Sequence, residues 1–189
     1  MKRLVYLLAI FATACSPEIR TYSDYDKEFD VAQFRTYSWS KPLQADRERY
    51  PLYYNEITDQ RIRSAVNDLF AVRGYVLTDS SAELTLDYTI TVEERSVFLP
   101  DPYGYMYWDN YMRSRSEVFN YREATLALDV LDSKDGRLLW RGWAVGILEV
   151  VVYESSDVEV AIWSAIAKIL KDFPESAKKQ SVEMTIKIH

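Results

Sequence analysis

The chain has 189 residues, 48% of them apolar and 14% aromatic, with one cysteine, one histidine at the C-terminus and a formal net charge of −6. One cysteine excludes an internal disulfide, a lone histidine leaves no His/Cys cluster with zinc spacing, and the acidic balance argues against nucleic acid, whose binding runs on clustered Lys and Arg. What remains is the length of a single domain behind a leader, large enough to bury a core without a covalent or metal staple.

The first element in chain order is that leader. Lys2 and Arg3 form a positive start and Leu4 to Phe11 an apolar run. The run is too short to cross a bilayer, which takes about 20 apolar residues. Small residues at Ala12, Thr13 and Ala14 then lead directly into Cys15. The arrangement predicts a bacterial lipoprotein signal over residues 1–14, cut so that Cys15 becomes a lipidated mature N-terminus. The alternative is an ordinary secretory signal that leaves Cys15 as a free thiol, which an oxidising compartment disfavours. Each acyl chain contributes about 0.8 kcal/mol per buried methylene and one chain anchors only marginally, so the usual three-chain modification would make release negligible. Ser16, rather than aspartate, resembles the pattern that permits sorting to the outer membrane. Without residues 1–14 the chain keeps 21 cationic and 29 acidic side chains, a charge of about −8.

Residues 15–23, polar and containing Pro17, read as a lipidated tether, and residues 24–189 as a single domain. Phe34, Tyr37 and Trp39 mark a first strand that Lys41-Pro42 ends. From Thr58 to Arg73 the apolar positions Ile62, Ala65, Val66, Leu69 and Phe70 repeat at three and four, and Gly74 stands where a left-handed cap closes a helix. Leu84, Leu86, Tyr88, Ile90 and Val92 alternate with Thr85, Asp87, Thr89 and Thr91, the signature of a strand with one buried and one wet face. Residues 121–131 repeat that alternation, Asp132 to Gly136 carries turn chemistry, and Leu138 to Val152 returns as the partner strand. Within the return, Gly142 and Gly146 suggest a bulge or a close backbone approach, and Val150 to Val152 burial on both faces. Ser156 and Glu159 form a capping box ahead of a wide apolar stripe from Ala161 to Phe173, so this helix is expected to be the more buried of the two, ending at Pro174. Val182 to Ile188 alternates again and predicts an edge strand or a frayed end. The fold class expected is α+β: an antiparallel or mixed sheet with two helices packed on one face.

This order of signals resembles a family of bacterial lipoproteins known as domain of unknown function 4136. The likeness is carried by Tyr25-Asp26 with Phe34, Tyr37 and Trp39, by Gly74-Tyr75, by Leu84 to Tyr88, by Tyr121 to Leu126, by Asp129, Asp132 and Gly136, and by Leu139-Trp140-Arg141-Gly142. The resemblance implies an envelope α+β domain on a lipid anchor and supplies no catalytic residue. The chain departs from it at Ala124, where the resemblance leads one to expect glycine, and in the stretch from Ser181 to His189.

Between Ser96 and Asn120 lies a segment dense in aromatic residues: Phe98, Tyr103, Tyr105, Tyr107, Trp108, Tyr111 and Phe119 among Pro100, Pro102 and Gly104. Exposed rings at this density would stack on sugars or receive a partner's apolar groups, which makes Tyr103, Tyr105, Tyr107, Trp108 and Tyr111 the candidate binding loop. The competing reading is a long hairpin whose rings pack on their own sheet. For catalysis the sequence offers little. Glu93 and Glu94 point to opposite faces of a strand end, and no Gly-x-Ser-x-Gly, phosphate loop or His-based dyad occurs. Asp129 and Asp132 lack EF-hand spacing and read as hairpin solvation, and Arg141 is placed to stack on a neighbouring indole. The expectation is a non-enzymatic domain without cofactor, held to the outer membrane by acyl chains on Cys15, facing the periplasm and meeting an envelope protein. A glycan or peptidoglycan ligand at the aromatic loop and a remote periplasmic hydrolase are the alternatives.

Overall fold

A computed structural model describes residues 19–28, 30, 33–41, 53–100, 116–148 and 155–175. Cys15, the aromatic residues from Tyr103 to Tyr111, the Val150 to Val152 run and the C-terminal alternation from Val182 lie outside the described residues. The strands are β1 (Arg20–Tyr25), β2 (Thr36–Trp39), β3 (Val76–Leu77), β4 (Leu84–Pro100), β5 (Ser116–Asp132) and β6 (Leu138–Ile147), and the helices α1 (Glu56–Val72) and α2 (Ser155–Ile169). They form one six-stranded sheet in the order β1-β6-β5-β4-β2-β3. Strands β4, β5, β6 and β1 are antiparallel neighbours, whereas β2 runs parallel to both β3 and β4, so the sheet is mixed. This is the α+β class that the sequence predicts. Strand β1 starts at Arg20, so the sheet takes up part of the 15–23 stretch read as tether.

Helix α1 begins where Asn55 accepts a hydrogen bond from the Thr58 amide at 2.9 Å, with Glu56 and Asp59 in the first turn where the helix dipole favours acids. Its end is set by Gly74, whose φ of 86° is the left-handed conformation that glycine adopts without a Cβ penalty. Ile62, Ala65, Val66 and Phe70 are its buried stripe. They face the even-numbered positions of β4, where Leu84, Leu86 and Tyr88 are buried together with Leu128 and Val130 of β5.

The densest part of the interlayer is aromatic. Phe173, just past the 3-10 turn that follows α2, meets Trp140 edge-on at 4.9 Å and Phe70 face to face at 5.1 Å, and Phe70 meets Tyr37 at 5.0 Å. Trp140 fits because of Gly142: a Cβ there would run into the Trp140 indole and stand 2.7 Å from the Ile169 side chain. The close approach expected at this glycine is therefore real, and the bulge falls elsewhere on β6, at Leu139, the extra residue between Trp140 opposite Val130 and Leu138 opposite Leu131. Arg73 ties the two helix ends together by donating to the carbonyls of Leu69 at 3.1 Å and Leu170 at 2.6 Å. Its guanidinium is desolvated enough to lower its pKa, an effect that the charge of Glu175 and Tyr75 oppose.

Helix α2 is not the more buried helix. Ile166 and Ile169 are enclosed, but Ala161, Ile162 and Ala165 are only partly covered. The sheet opposite them offers Ala124, Ala144 and Gly146, which are too small to fill the layer.

Candidate functional site

Four regions carry enough polar or exposed apolar chemistry to be weighed as sites. Beside β2, the Asp59 carboxylate accepts from Arg63 Nε at 2.8 and 3.0 Å and from the Tyr88 hydroxyl at 2.9 Å, and the Arg63 guanidinium sits 4.7 Å over the Trp39 ring. Asn67 Oδ1 accepts from the Tyr37 hydroxyl at 2.9 Å and from Trp39 Nε1 at 3.0 Å. Burial, and then the charge of Asp68, pushes the Tyr37 hydroxyl up to about 12; burial and the bond to Asp59 push that of Tyr88 up as well. Two phenols held neutral and bonded to neighbours are structural groups, because neither is poised to exchange a proton near neutral pH.

On the opposite face, Arg141 forks onto Asp129 with two hydrogen bonds of 2.5 Å. The indole stacking expected of Arg141 does not occur: Trp143 stacks instead on Tyr22 at 5.5 Å, and among the described residues it is Arg63 that sits over an indole. Asp132 accepts from the Lys134 amide at 2.8 Å, a turn role rather than a ligand role. Among the described residues no group of three acids, histidines or cysteines is placed to hold a metal. No described helix is long and apolar enough to cross a membrane.

Between the helices and the sheet opens an apolar groove of about 240 Å³, lined among others by Ile62, Ile90, Leu126, Ala144, Ala161 and Ala165. It exists because small residues of both layers meet at that end. Ala124, which stands where the family resemblance leads one to expect glycine, also lines it.

The fourth region is a ribbon. The β4–β5 ladder does not stop at the sheet boundary but continues from Glu93–Glu123 to Pro100–Ser116, so both ends of the segment read as an aromatic loop are paired strand. Among the described residues, β5 past Glu123 pairs with no strand but β4, and β4 past Leu86 with none but β5. This arm extends about 24 Å at 3.4 Å per residue. Its root is charged: Arg95 bridges Glu93 at 2.7 Å and Glu123 at 3.6 Å, and Arg20 reaches Glu123 at 3.3 Å. Glu93 and Glu123 are cross-strand neighbours whose repulsion those two arginines offset. Three rungs further, Ser96 and Asn120 are joined at 2.7 Å. Beyond them Val97, Phe98, Val118 and Phe119 are all exposed. The packing of these rings on their own sheet, the alternative reading of the segment, does not apply to Phe98 or Phe119. The sequence reading missed how far the strands run, because the β4 alternation breaks at Glu94 and Ser96, which are polar at positions that are apolar from Leu84 to Val92.

Residues 21–175 match the family described as Domain of unknown function (DUF4136). The chain belongs to this family. A crystal structure of another DUF4136 family protein, from Bacteroides thetaiotaomicron VPI-5482, is 14% identical and superposes with a TM-score of 0.41 over 88% of this chain and 97% of that one. A PDZ domain protein from Parabacteroides distasonis ATCC 8503 superposes with a TM-score of 0.51 at 13% identity, over 92% of this chain and 40% of the other. The DUF4136 chain thus spans less than half of that neighbour, and the likeness is one of fold. A PelC dodecamer from Paraburkholderia phytofirmans gives a TM-score of 0.44 at 11% identity, over 81% of this chain and 95% of that one. No curated protein matches the DUF4136 chain.

Proposed function

We propose that this protein is a lipid-anchored domain of the bacterial envelope that acts by contact rather than by catalysis. Acyl chains on Cys15 hold it to the outer membrane, the domain lies on the periplasmic side, and the β4–β5 arm is its contact element. The observation that carries this reading is the arm itself: paired backbone projecting beyond the sheet, with unsatisfied apolar surface at its far end. A hairpin of two strands is marginally stable alone, and exposed apolar rungs on it lower solubility, so a length of about 24 Å is explained by something that it touches. The non-catalytic part of the reading is supported by the polar clusters, in which Asp59, Asp129 and Glu123 are each bound to an arginine.

Two measurements test it. The intact mass of the mature protein should show a cleaved Cys15 terminus carrying acyl chains; an unmodified thiol there would overturn the anchor. Cross-linking in envelopes should capture partners through the arm and lose them on substitution of Phe98 and Phe119 by serine, while unchanged capture would remove the arm from the function. If soluble glycan strands compete with the contact, and changing Tyr103, Tyr105, Tyr107, Trp108 and Tyr111 to serine abolishes it, the aromatic loop becomes a glycan or peptidoglycan site. A hydrolase activity lost on Glu93→Gln or Glu94→Gln would replace the proposal by an enzyme.

A further inference from the structure

Resting on the anchored reading above, the geometry points to what the arm touches. We propose that its far rungs dip into the headgroup region of the same membrane that holds the acyl chains of Cys15. Arg20 pairs with Val145, Val145 with Thr125 and Thr125 with Thr91, so these four residues form one row across the sheet. Strand β1 runs antiparallel to β6 and β6 antiparallel to β5, so the chain preceding Arg20 leaves the sheet at the end from which the arm projects. Cys15 stands five residues before Arg20. Even a fully extended tether therefore places it no more than about 17 Å beyond that row. Val97 and Phe98 stand six and seven residues beyond the row on the arm, about 20 to 24 Å. The apolar rungs thus reach at least as far toward the bilayer as the anchor.

The arm is also banded in the matching order. Charged rungs at Glu93–Glu123 and Glu94–Arg122 come first, the Ser96–Asn120 hydrogen bond next, and the apolar rungs Val97–Phe119 and Phe98–Val118 after it, with Leu99–Glu117 and Pro100–Ser116 closing the described ladder. Val97 and Phe119 are 41% and 64% exposed on one face, Phe98 and Val118 69% and 51% on the other. A flat protein surface covers one face of a ribbon; a fluid interface surrounds both. Depth is limited by chemistry, because the two edges of the ribbon, which pair with no further strand among the described residues, carry N–H and C=O groups that the hydrocarbon core cannot satisfy. The rungs therefore rest at the boundary of headgroups and acyl chains, where interfacial apolar residues sit.

The test uses the full lipidated protein in phosphatidylethanolamine and phosphatidylglycerol vesicles. Acylation blocks the Cys15 thiol, so Val118→Cys supplies a single site for an environment-sensitive nitrobenzoxadiazole dye. Lys134→Cys, in the turn at the opposite end of the sheet, supplies the control. The dye at 118 should emit to the blue of the dye at 134 and be quenched at least twofold more by nitroxide-bearing lipid. A dye at 118 as water-exposed as at 134 overturns the proposal. So does a shielded dye that lipid nitroxides do not quench, which would mean that a protein or a second copy covers the arm. The mass of the same sample separates the two claims: absent acyl chains break the anchor, whereas an acylated protein with a wet residue 118 breaks only the arm's contact with lipid.

Discussion

Strands β4 and β5 are each 17 residues long and are paired throughout, yet they serve two environments. From Leu84–Asp132 to Val92–Ala124 their inner face is core, with Leu84, Leu86, Leu128 and Val130 fully enclosed by the helices. From Glu94–Arg122 outward no helix or further strand of the described fold packs on them. Backbone pairing is the same in both halves, so the ladder alone does not decide what is buried. Coverage does, and coverage ends where the helices end.

The largest effect is expected where a change breaks the covered half. Leu128→Ala removes a fully buried side chain opposite Gly142 and should lower stability by about 2 to 5 kcal/mol, read as a shift in the denaturant midpoint at constant slope. Gly142→Ala should cost about 1 to 3 kcal/mol, because its Cβ displaces the Trp140 ring and the Ile169 side chain in a layer with no slack. A wild-type melting temperature for Gly142→Ala would show that the aromatic end is less tightly filled than its geometry requires.

A third change tests how β4 is joined to its parallel neighbour. The Glu83 carboxylate accepts from the amides of Arg35 and Thr36 at 2.7 and 3.0 Å and from the Thr36 hydroxyl at 3.1 Å, just ahead of the rows that pair β2 with β4. Burial alone would raise its pKa, but those hydrogen bonds and the Arg35 charge bring it below the ordinary 4.5. A carboxyl depressed on folding contributes stability that is present above its unfolded pKa and is lost as pH falls through the folded one. Stability should therefore decline as pH drops below about 4.5. Glu83→Gln should flatten part of that decline and cost about 1 kcal/mol at pH 7. An identical acid limb in the variant would assign the decline to other carboxylates.

Much of this fold was legible because its signals are periodic. The three-and-four spacing in α1, Gly74 after it and the alternation in β4 each depend on one residue's relation to near neighbours, and each stands where the sequence puts it. The misreadings share a cause: they depended on residues distant in sequence. The apolar stripe of α2 predicts burial, but Ala124, Ala144 and Gly146 on the sheet opposite leave its first half beside a groove. Arg141 has an indole on either side in sequence, yet across the ladder its partner is Asp129. The length of the arm was hidden because the β4 alternation breaks at Glu94 and Ser96, and the prolines and aromatic residues from Pro100 onward carry loop composition. Of the candidate site, only the charged root at Glu93 and Glu94 was legible, as a strand end; that the rungs beyond it are paired and that two of the rings stand exposed depend on the partner strand and on where the helices stop, which no local pattern encodes.

The smallest expected effect on stability separates the two halves most sharply. Phe98→Ser with Phe119→Ser removes two large rings, a change that in the covered half would unfold a domain of ordinary stability. In the arm both side chains are already exposed, so little apolar area is returned to water and the change should stay within about 0.5 kcal/mol. Unfolding curves of the double variant in aqueous buffer should therefore overlay those of wild type. A loss of several kcal/mol instead would mean that the rings are packed in solution and that the arm belongs to the core, which would remove the basis for assigning it a contact role. With stability unchanged, any loss of envelope contact in the same variant belongs to the rings themselves, since the body that carries them is intact.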